Sequence, residues 1–372
     1  MKRLRGVGAD SGYLGRNPVA GCPYSVDFCG KMLRMRTLLL TLAFVLSSAG
    51  ARAANNLQIY FIDVEGGQST LFVAPSGQSM LVDTGEVAFD GRDPGRIAVV
   101  AKVAGIKQID FVVITHFHSD HVGGVPKLAE LIPIKTFVDH GTTVEHDAKG
   151  EELFTSYKAA SSKGKRLVVK PGDHVPIRGI DVTVVCAAGK DISKPLPGGG
   201  QANPACASTA KKEMDPGENA QSLGTMITYG KFRMIDLGDL TWNKELELVC
   251  PNNKLGTVDV YLSTHHGLNI SGSAAIVHAL HPVVAVVNNS ATKGNTPEAY
   301  QAIHSSPGLE DIWQLHYSEA NGKALNTSDD HIANLQEAEP VNYVKVSAKA
   351  SGEFTVTNSR NGKTKTYQSR PH

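Results

Sequence analysis

His116-x-His118-x-Asp120-His121 puts four metal-capable side chains into six residues, directly after the apolar run Phe111-Val112-Val113-Ile114. A run of that kind reads as a short, fully buried strand, so the histidine segment begins at a strand's end. At a period of two, His116 and His118 project to the same side, and both imidazoles reach one ion. Asp120 and His121 sit one step on, in the turn toward Gly123-Gly124, and face a second ion. The spacing differs from HExxH, in which two histidines share a helix face. Nitrogen-rich ligation suits zinc, which tolerates an open position for water.

Two further stations follow the same rule. Asp239, in Leu237-Gly238-Asp239-Leu240, comes after an apolar strand over residues 232–237. A carboxylate there bridges two ions; its plain alternative is a cap for the helix that starts near Trp242. His265-His266-Gly267 follows a strand over 258–262, and either histidine is a candidate ligand, His266 being preferred. Paired histidines in isolation are more often structural, but three stations at the ends of apolar strands reinforce one another.

The rest of the body is sheet-rich. Residues 57–64 read as a strand ending at Glu65-Gly66-Gly67, and a strand over 69–74 turns at Pro75-Ser76-Gly77 into another over 79–82, closed by Asp83-Thr84-Gly85. Asp93-Pro94 predicts a helix with Asp at the cap and Pro in the first position, its apolar side formed by Ile97, Val100, Val103 and Ala104. Further helices are expected over 122–132, 151–162, 242–249 and 273–280, and from Thr296-Pro297. Strands are expected over 136–138, 167–170, 181–185, 223–229 and 283–287, with a long loop over 187–220 and two or three strands in the tail 341–367. Because a meander opens the body, a simple doubly wound sheet is excluded. The class is α/β (α+β), with two mixed β-sheets and helices on the outer faces.

Residues 1–53 carry eight Lys/Arg against Asp10 and Asp27. Arg34 and Arg36, the apolar stretch 38–46 and the small-x-small site Ala51-Arg52-Ala53 predict a signal peptide over 32–53, starting at Met32 or Met35 and cleaved after Ala53. The apolar stretch is too short to span a bilayer comfortably. Residues 1–31 then read as a non-native or disordered extension, and the expected location is periplasmic or secreted, with no transmembrane segment after cleavage. The whole chain has 37 basic and 36 acidic side chains, so residues 54–372 hold 29 and 34. That mildly acidic body is a poor electrostatic partner for long nucleic acid or an anionic membrane. In an oxidising compartment Cys186, Cys206 and Cys250 allow three pairings. Cys186 ends the alternation Val182-Val184-Cys186 and reads as core-facing, which leaves Cys206 and Cys250 as the preferred pair.

The order of strand-Asp83-Thr84-Gly85, His116-x-His118-x-Asp120-His121-Val122-Gly123-Gly124, Leu237-Gly238-Asp239 and His265-His266-Gly267 resembles the metallo-β-lactamase superfamily over nearly all of residues 57–305. More narrowly, Asp63-Val64-x-x-Gly67-Gln68-Ser69, Asn219-x-x-Ser222-Leu223 and His265-His266-Gly267 are similar to the hydrolase domain of ComEC-type DNA-uptake proteins. Phosphorylcholine esterases of bacterial surfaces share the His-His-Gly style. The resemblance implies an αβ/βα four-layer sandwich with the metals at one edge between the sheets. It implies two divalent metal ions, zinc first and manganese as the alternative. The first would rest on His116, His118 and bridging Asp239, the second on Asp120, His121, Asp239 and one of His265 and His266. Many members carry a ligand histidine about twenty residues before the Leu-Gly-Asp aspartate; here Asn219 stands there, a weaker zinc ligand than imidazole. His140, after the strand over 136–138, is a further candidate for metal or substrate contact, with a hydrogen-bonded loop histidine as its plain alternative. His174 is a more distant substitute.

The expected function is an exported metal-dependent hydrolase using a metal-bound hydroxide, with Asp120 as the catalytic group that orients it and takes its proton. The substrate expected is a phosphodiester or related ester, on a small molecule or linked to a surface. Carbon-ester, lactone or β-lactam hydrolysis with the same ions is the alternative. A non-catalytic binding protein on the same fold is disfavoured by the intact ligand set. A nuclease role rests on fold analogy alone. No Gly-x-Ser-x-Gly elbow offers a competing nucleophile. The expected organisation is a hydrolase domain over 54–340, followed by C-terminal strands and tail over 341–372.

Overall fold

Apolar and alternating runs become strands that sort into two large sheets. A computed structural model of the chain describes residues 56–86, 89–336 and 341–372. The signal peptide expected over 32–53 and the extension expected over 1–31 lie outside the described residues. The first sheet is ordered β19 (Thr364–Gln368), β18 (Glu353–Asn358), β17 (Tyr343–Ala348), β1 (Leu57–Ile62), β2 (Thr70–Val73), β3 (Ser79–Val82), β4 (Ile109–Val113), β5 (Ile134–Asp139) and β6 (Lys165–Val168). From β3 to β6 its strands are parallel. The second is ordered β16 (Ile332–Asn334), β15 (Asp311–His316), β14 (Val284–Val287), β13 (Val260–Leu262), β11 (Phe232–Asp236), β10 (Gly224–Tyr229), β7 (Asp181–Ala187) and β8 (Lys190–Asp191). Here β11, β13, β14, β15 and β16 are parallel. The short β9 (Gln201–Ala202) and β12 (Asn252–Asn253) pair with each other.

Alternation within each strand builds the layers. In β4, Phe111 and Val113 face a core shared by both sheets, with Phe61, Phe72, Trp313 and Phe354. Val112 faces the opposite way, onto a second core. That core is closed by α1 (Arg92–Val103), α3 (Val125–Leu131) and α4 (Ala148–Ser161), through Ile97, Val100, Leu128, Phe154 and Tyr157. A third core lies on the far side of the second sheet, where α5 (Trp242–Val249), α6 (Ala274–Leu280) and α7 (Pro297–His304) contribute Leu248, Ile276 and Tyr300. The architecture is a four-layer αβ/βα sandwich. Each large apolar side chain so buried contributes about 1.5–3 kcal/mol. Trp313 is fully buried between the sheets and its indole donates to the Tyr367 hydroxyl at 3.1 Å, joining β15 to the terminal strand.

Local chemistry differs from the sequence expectation in four places. Asp93 does not cap α1: the helix starts at Arg92, after Gly91 in a left-handed conformation, and Asp93 is buried, accepting from the Glu86 amide at 2.8 Å. Val103 turns outward, 60 % exposed, so it does not join the apolar side. The helix expected over 122–132 is two, α2 (Ser119–Val122) and α3, broken at Gly123-Gly124. A Cβ on Gly124 would lie 2.1 Å from the Thr84 carbonyl, so this close approach demands glycine and interrupts the helix. Strands β15 and β16 fall in a region where no element was expected. Within the expected loop 187–220, only short pieces form. Cys206 and Cys250 are joined by a disulfide, and Cys186 is free and buried, its thiol pushed up to about 12 by burial.

Candidate metal centre

Parallel strands deliver their C-terminal ends to one edge, where ligands of open α/β sheets gather. β4 leads into His116–His121, β11 into Asp239, β13 into His265-His266, and β3 into Asp83. Gly238 makes the turn to Asp239 at φ 55°, and a Cβ there would lie 2.7 Å from the Thr115 Cβ. Asp239 is thereby pressed against the segment that carries the histidines.

Three imidazoles meet at one carboxylate oxygen. Asp239 Oδ2 lies 3.2 Å from His121 Nε2, 3.3 Å from His265 Nε2 and 3.3 Å from His266 Nε2. Asp120 Oδ2 closes the group, 3.5 Å from His121 Nε2 and 3.4 Å from His266 Nε2. Each ring is fixed through its other nitrogen: His121 Nδ1 by Asp83 Oδ2 at 2.7 Å, His265 Nδ1 by Ser271 Oγ at 3.2 Å, and His266 Nδ1 by Asn288 Nδ2 at 3.1 Å. Tethers of this kind set ring orientation and tautomer at metal sites. Asp120, His121, Asp239 and His266 all offer ligand atoms within 4.8 Å of one another.

The backbone is held in unusual shapes to achieve this. His265 and His266 both adopt left-handed conformations, φ 56° and 57°, and Asp83 does so at φ 59°. Such conformations in non-glycine residues cost on the order of 1–3 kcal/mol each and persist only where neighbours enforce them. The His265 amide donates to the Gly238 carbonyl at 3.0 Å, and the His266 carbonyl accepts from the Asn295 amide at 2.9 Å.

Charge follows geometry. Burial alone would raise the Asp239 carboxyl, but His121, His266 and His265 outweigh it and hold the group well below the usual carboxylate range. Asp120 is likewise lowered against burial, by His121, His266 and Lys293. Burial pulls the His121 ring down, yet Asp239, Asp120 and Asp83 carry it well above the ordinary imidazole value. His116 is lowered by burial and by His121, and burial takes His265 to about 4.

His116 and His118 form an adjoining pair. His116 Nε2 lies 3.0 Å from His118 Nδ1, close to the roughly 3.3 Å expected for two nitrogens on one tetrahedral zinc. His118 Nε2 is taken by Glu145 Oε1 at 2.9 Å. Asn219 lies beside this strand end, since the Leu223 amide binds the Thr115 carbonyl at 2.7 Å and the Ser222 amide binds the Asn219 carbonyl. His140 is not drawn into the group: its Nε2 meets Glu218 Oε2 at 3.1 Å. His174 is also elsewhere, paired with Asp181 at 2.8 Å.

Four buried atoms of these residues find no hydrogen-bond partner: His121 Nε2, His266 Nε2, Asp239 Oδ1 and Asn219 Oδ1. Buried polar atoms are nearly always paired, so such a concentration needs a reason. Lone-pair nitrogens and carboxylate oxygens facing one another fit a divalent cation.

Several supporting residues were not singled out from the sequence. Asp83, read there as the close of a turn, anchors His121 and also accepts from the Thr115 amide at 2.8 Å and hydroxyl at 2.7 Å. Glu218 is buried and accepts from His140, the Thr143 hydroxyl, and the Phe117 and Val144 amides. Gln68 donates to both Asp236 oxygens at 3.0 Å, and burial pushes Asp236 up to about 7. The Asp83-Thr84-Gly85 that closes the strand over 79–82 was the available signal for Asp83. Nothing local marks Glu218.

Residues 63–202 match the model of the metallo-beta-lactamase superfamily. That stretch, well under half of the chain, carries a metallo-β-lactamase superfamily domain. ComE operon protein 3 of Bacillus subtilis (strain 168) is 27% identical over 254 residues, covering 64% of this chain and 29% of that protein. The chain thus spans under a third of that relative's length. Among solved structures, the diiron β-hydroxylase CmlA of Streptomyces venezuelae is 14% identical at a TM-score of 0.37, covering 71% of this chain and 48% of its own. A diphosphatase of the PhnP family is 14% identical at a TM-score of 0.35, covering 66% of this chain and 81% of its own. Likenesses this distant say nothing about the reaction. Among the described residues no helix is long and apolar enough to cross a membrane.

Proposed function

We propose that this superfamily domain is an exported metal-dependent hydrolase acting on a phosphodiester or related ester of a small or surface-linked molecule. The observation that carries this reading is the convergence of three tethered imidazoles on Asp239, with buried ligand atoms that no protein group satisfies. Asp120, His121, Asp239 and His266 would hold one divalent ion, and His116, His118 and Asp239, with Asn219 beside them, a second. Zinc suits the imidazole-rich set, and manganese is the alternative where Asn219 replaces an imidazole. When bound, such ions supply Lewis acidity, which brings water toward neutral pKa and draws charge from an ester oxygen.

The chain's own groups divide the remaining work. Asp239 is walled in, whereas the Asp120 side chain is 21% exposed and so within reach of solvent. Its lowered pKa keeps Asp120 ionised, so it can accept a hydrogen bond from water and orient it toward the ester. Asp83, Ser271 and Asn288 hold the rings so that only Nε2 faces the site.

Protein beginning at Ala54, analysed for metal, should contain close to two transition-metal ions per chain. A folded protein that binds none would sink the reading. Hydrolysis of bis(p-nitrophenyl) phosphate should exceed that of nitrocefin and of a lactone, and the reverse order would move the substrate class to carbon esters or lactams. Asp120→Ala retaining full rate would remove Asp120 from the chemistry.

A further inference from the structure

The metal centre already holds a cation of the protein's own. The Lys293 ammonium pairs with Asp120 Oδ2, the carboxylate oxygen that also faces His121 and His266. A lysine at the end of a flexible loop would be unremarked, but this one is built in. Ser290 Oγ accepts from the Thr292 and Lys293 amides, and the Ser290 amide returns a bond to the Lys293 carbonyl at 2.9 Å. The closed turn is clamped to the site's own backbone: the next-but-one amide, of Asn295, binds the His266 carbonyl. Between them Gly294, at φ 85°, passes so close that a Cβ would lie 2.2 Å from the His266 carbonyl oxygen. The amine's position is therefore tied to that of His266.

A fixed ammonium beside a set of cation ligands is repulsive once an ion enters, unless it has a second partner. The Lys293 side chain is 40% exposed, so an anion in solvent can reach the residue. We infer that Lys293 is an exchangeable cation: its ammonium pairs with Asp120 and would yield that oxygen to an incoming ion. Its ammonium would then bind the anionic group of the substrate. The exchange rests on the metal-dependent reading of the site and narrows the substrate to an ester that carries a negative charge beside the bond cleaved. An ammonium acts as a point charge and needs no fixed fork geometry, so arginine can replace it while a neutral chain cannot.

The test uses the chain from Ala54, as wild type and as Lys293→Met, Lys293→Gln and Lys293→Arg. Zinc affinity is read by chelator competition, and inorganic phosphate binding by calorimetry on the zinc-loaded protein. The two neutral variants should take up the ion at Asp120 about tenfold more tightly and bind phosphate about tenfold more weakly. Lys293→Arg should stay within about threefold of wild type in both. Unchanged phosphate affinity in both neutral variants overturns the anion role, and unchanged zinc affinity overturns the exchange. Wild-type protein that takes up no zinc would overturn the metal reading itself, an outcome distinct from either.

Discussion

Asp63, Glu65 and His316 bring ligand-type atoms within 4.8 Å of one another, as do Asp120, His121, Asp239 and His266. Both groups pair two carboxylates with imidazole, and both lie mostly buried. In the first, Arg96 donates to Asp63 Oδ2 at 2.8 Å and to Glu65 Oε1 at 2.9 Å, and His316 Nε2 meets Asp63 Oδ1 at 2.8 Å. None of those atoms is left without a partner, whereas His121 Nε2, His266 Nε2 and Asp239 Oδ1 are. Arg96 sits on α1 and His316 on β15, so the first group ties a helix of one outer layer to a strand of the other sheet. The difference teaches that proximity of ligand-type residues does not make a metal site. What separates the two is whether the protein's own donors have already consumed the acceptors.

The largest effect should come from the unsatisfied cluster. Asp239→Asn removes the oxygen on which three rings converge; metal content should fall to one ion or fewer, and phosphodiester hydrolysis by at least about 10³-fold. Full metal content in that variant would erase the contrast. Breaking the satisfied cluster should do the opposite. Arg96→Met leaves Asp63 buried without its cation and should cost about 3 kcal/mol in urea unfolding, with metal content unchanged. A loss of metal there would show that the two clusters are one system.

Asp83→Asn tests the tether rather than the ligand. His121 would keep its place but lose the carboxylate on Nδ1, and zinc affinity should fall by about 10–100-fold with the fold intact. An unchanged affinity would mean that packing alone aims the ring. The smallest effect expected concerns Glu245, which accepts from the Gly272 amide at 2.8 Å and so supports the loop next to His265-His266. Burial raises its carboxyl to about 7 from the ordinary 4.5, so the folded chain keeps a proton there that the unfolded chain releases. Stability from this group is therefore present below about pH 4.5 and is lost as pH rises toward 7. Glu245→Gln should flatten that decline, gaining on wild type by on the order of 1–2 kcal/mol between pH 5 and pH 8. A constant difference in thermal midpoint across that range would show that the group does not titrate there.

The sequence by itself determined the stations. Apolar runs with histidine or aspartate just past their ends encode strands and the turns after them through neighbouring residues alone, so the placing of 116–121, Asp239 and His265-His266 at strand ends was legible without a fold. The layer order was legible too, because alternating and wholly apolar strands demand faces to bury. Boundaries failed where a distant backbone intrudes, as Thr84 does at Gly124, and β15 went unread between polar loops. Only the tertiary structure decided which nitrogen of each ring faces inward, that His140 belongs to Glu218, and which cluster has a resident arginine. Those outcomes rest on contacts between residues far apart in the chain: 38 positions for Asp83 and His121, 173 for Asp120 and Lys293, and 253 for Asp63 and His316. A local pattern can place a donor at a strand's end. Whether that donor is already satisfied is settled by whatever the rest of the chain brings against it.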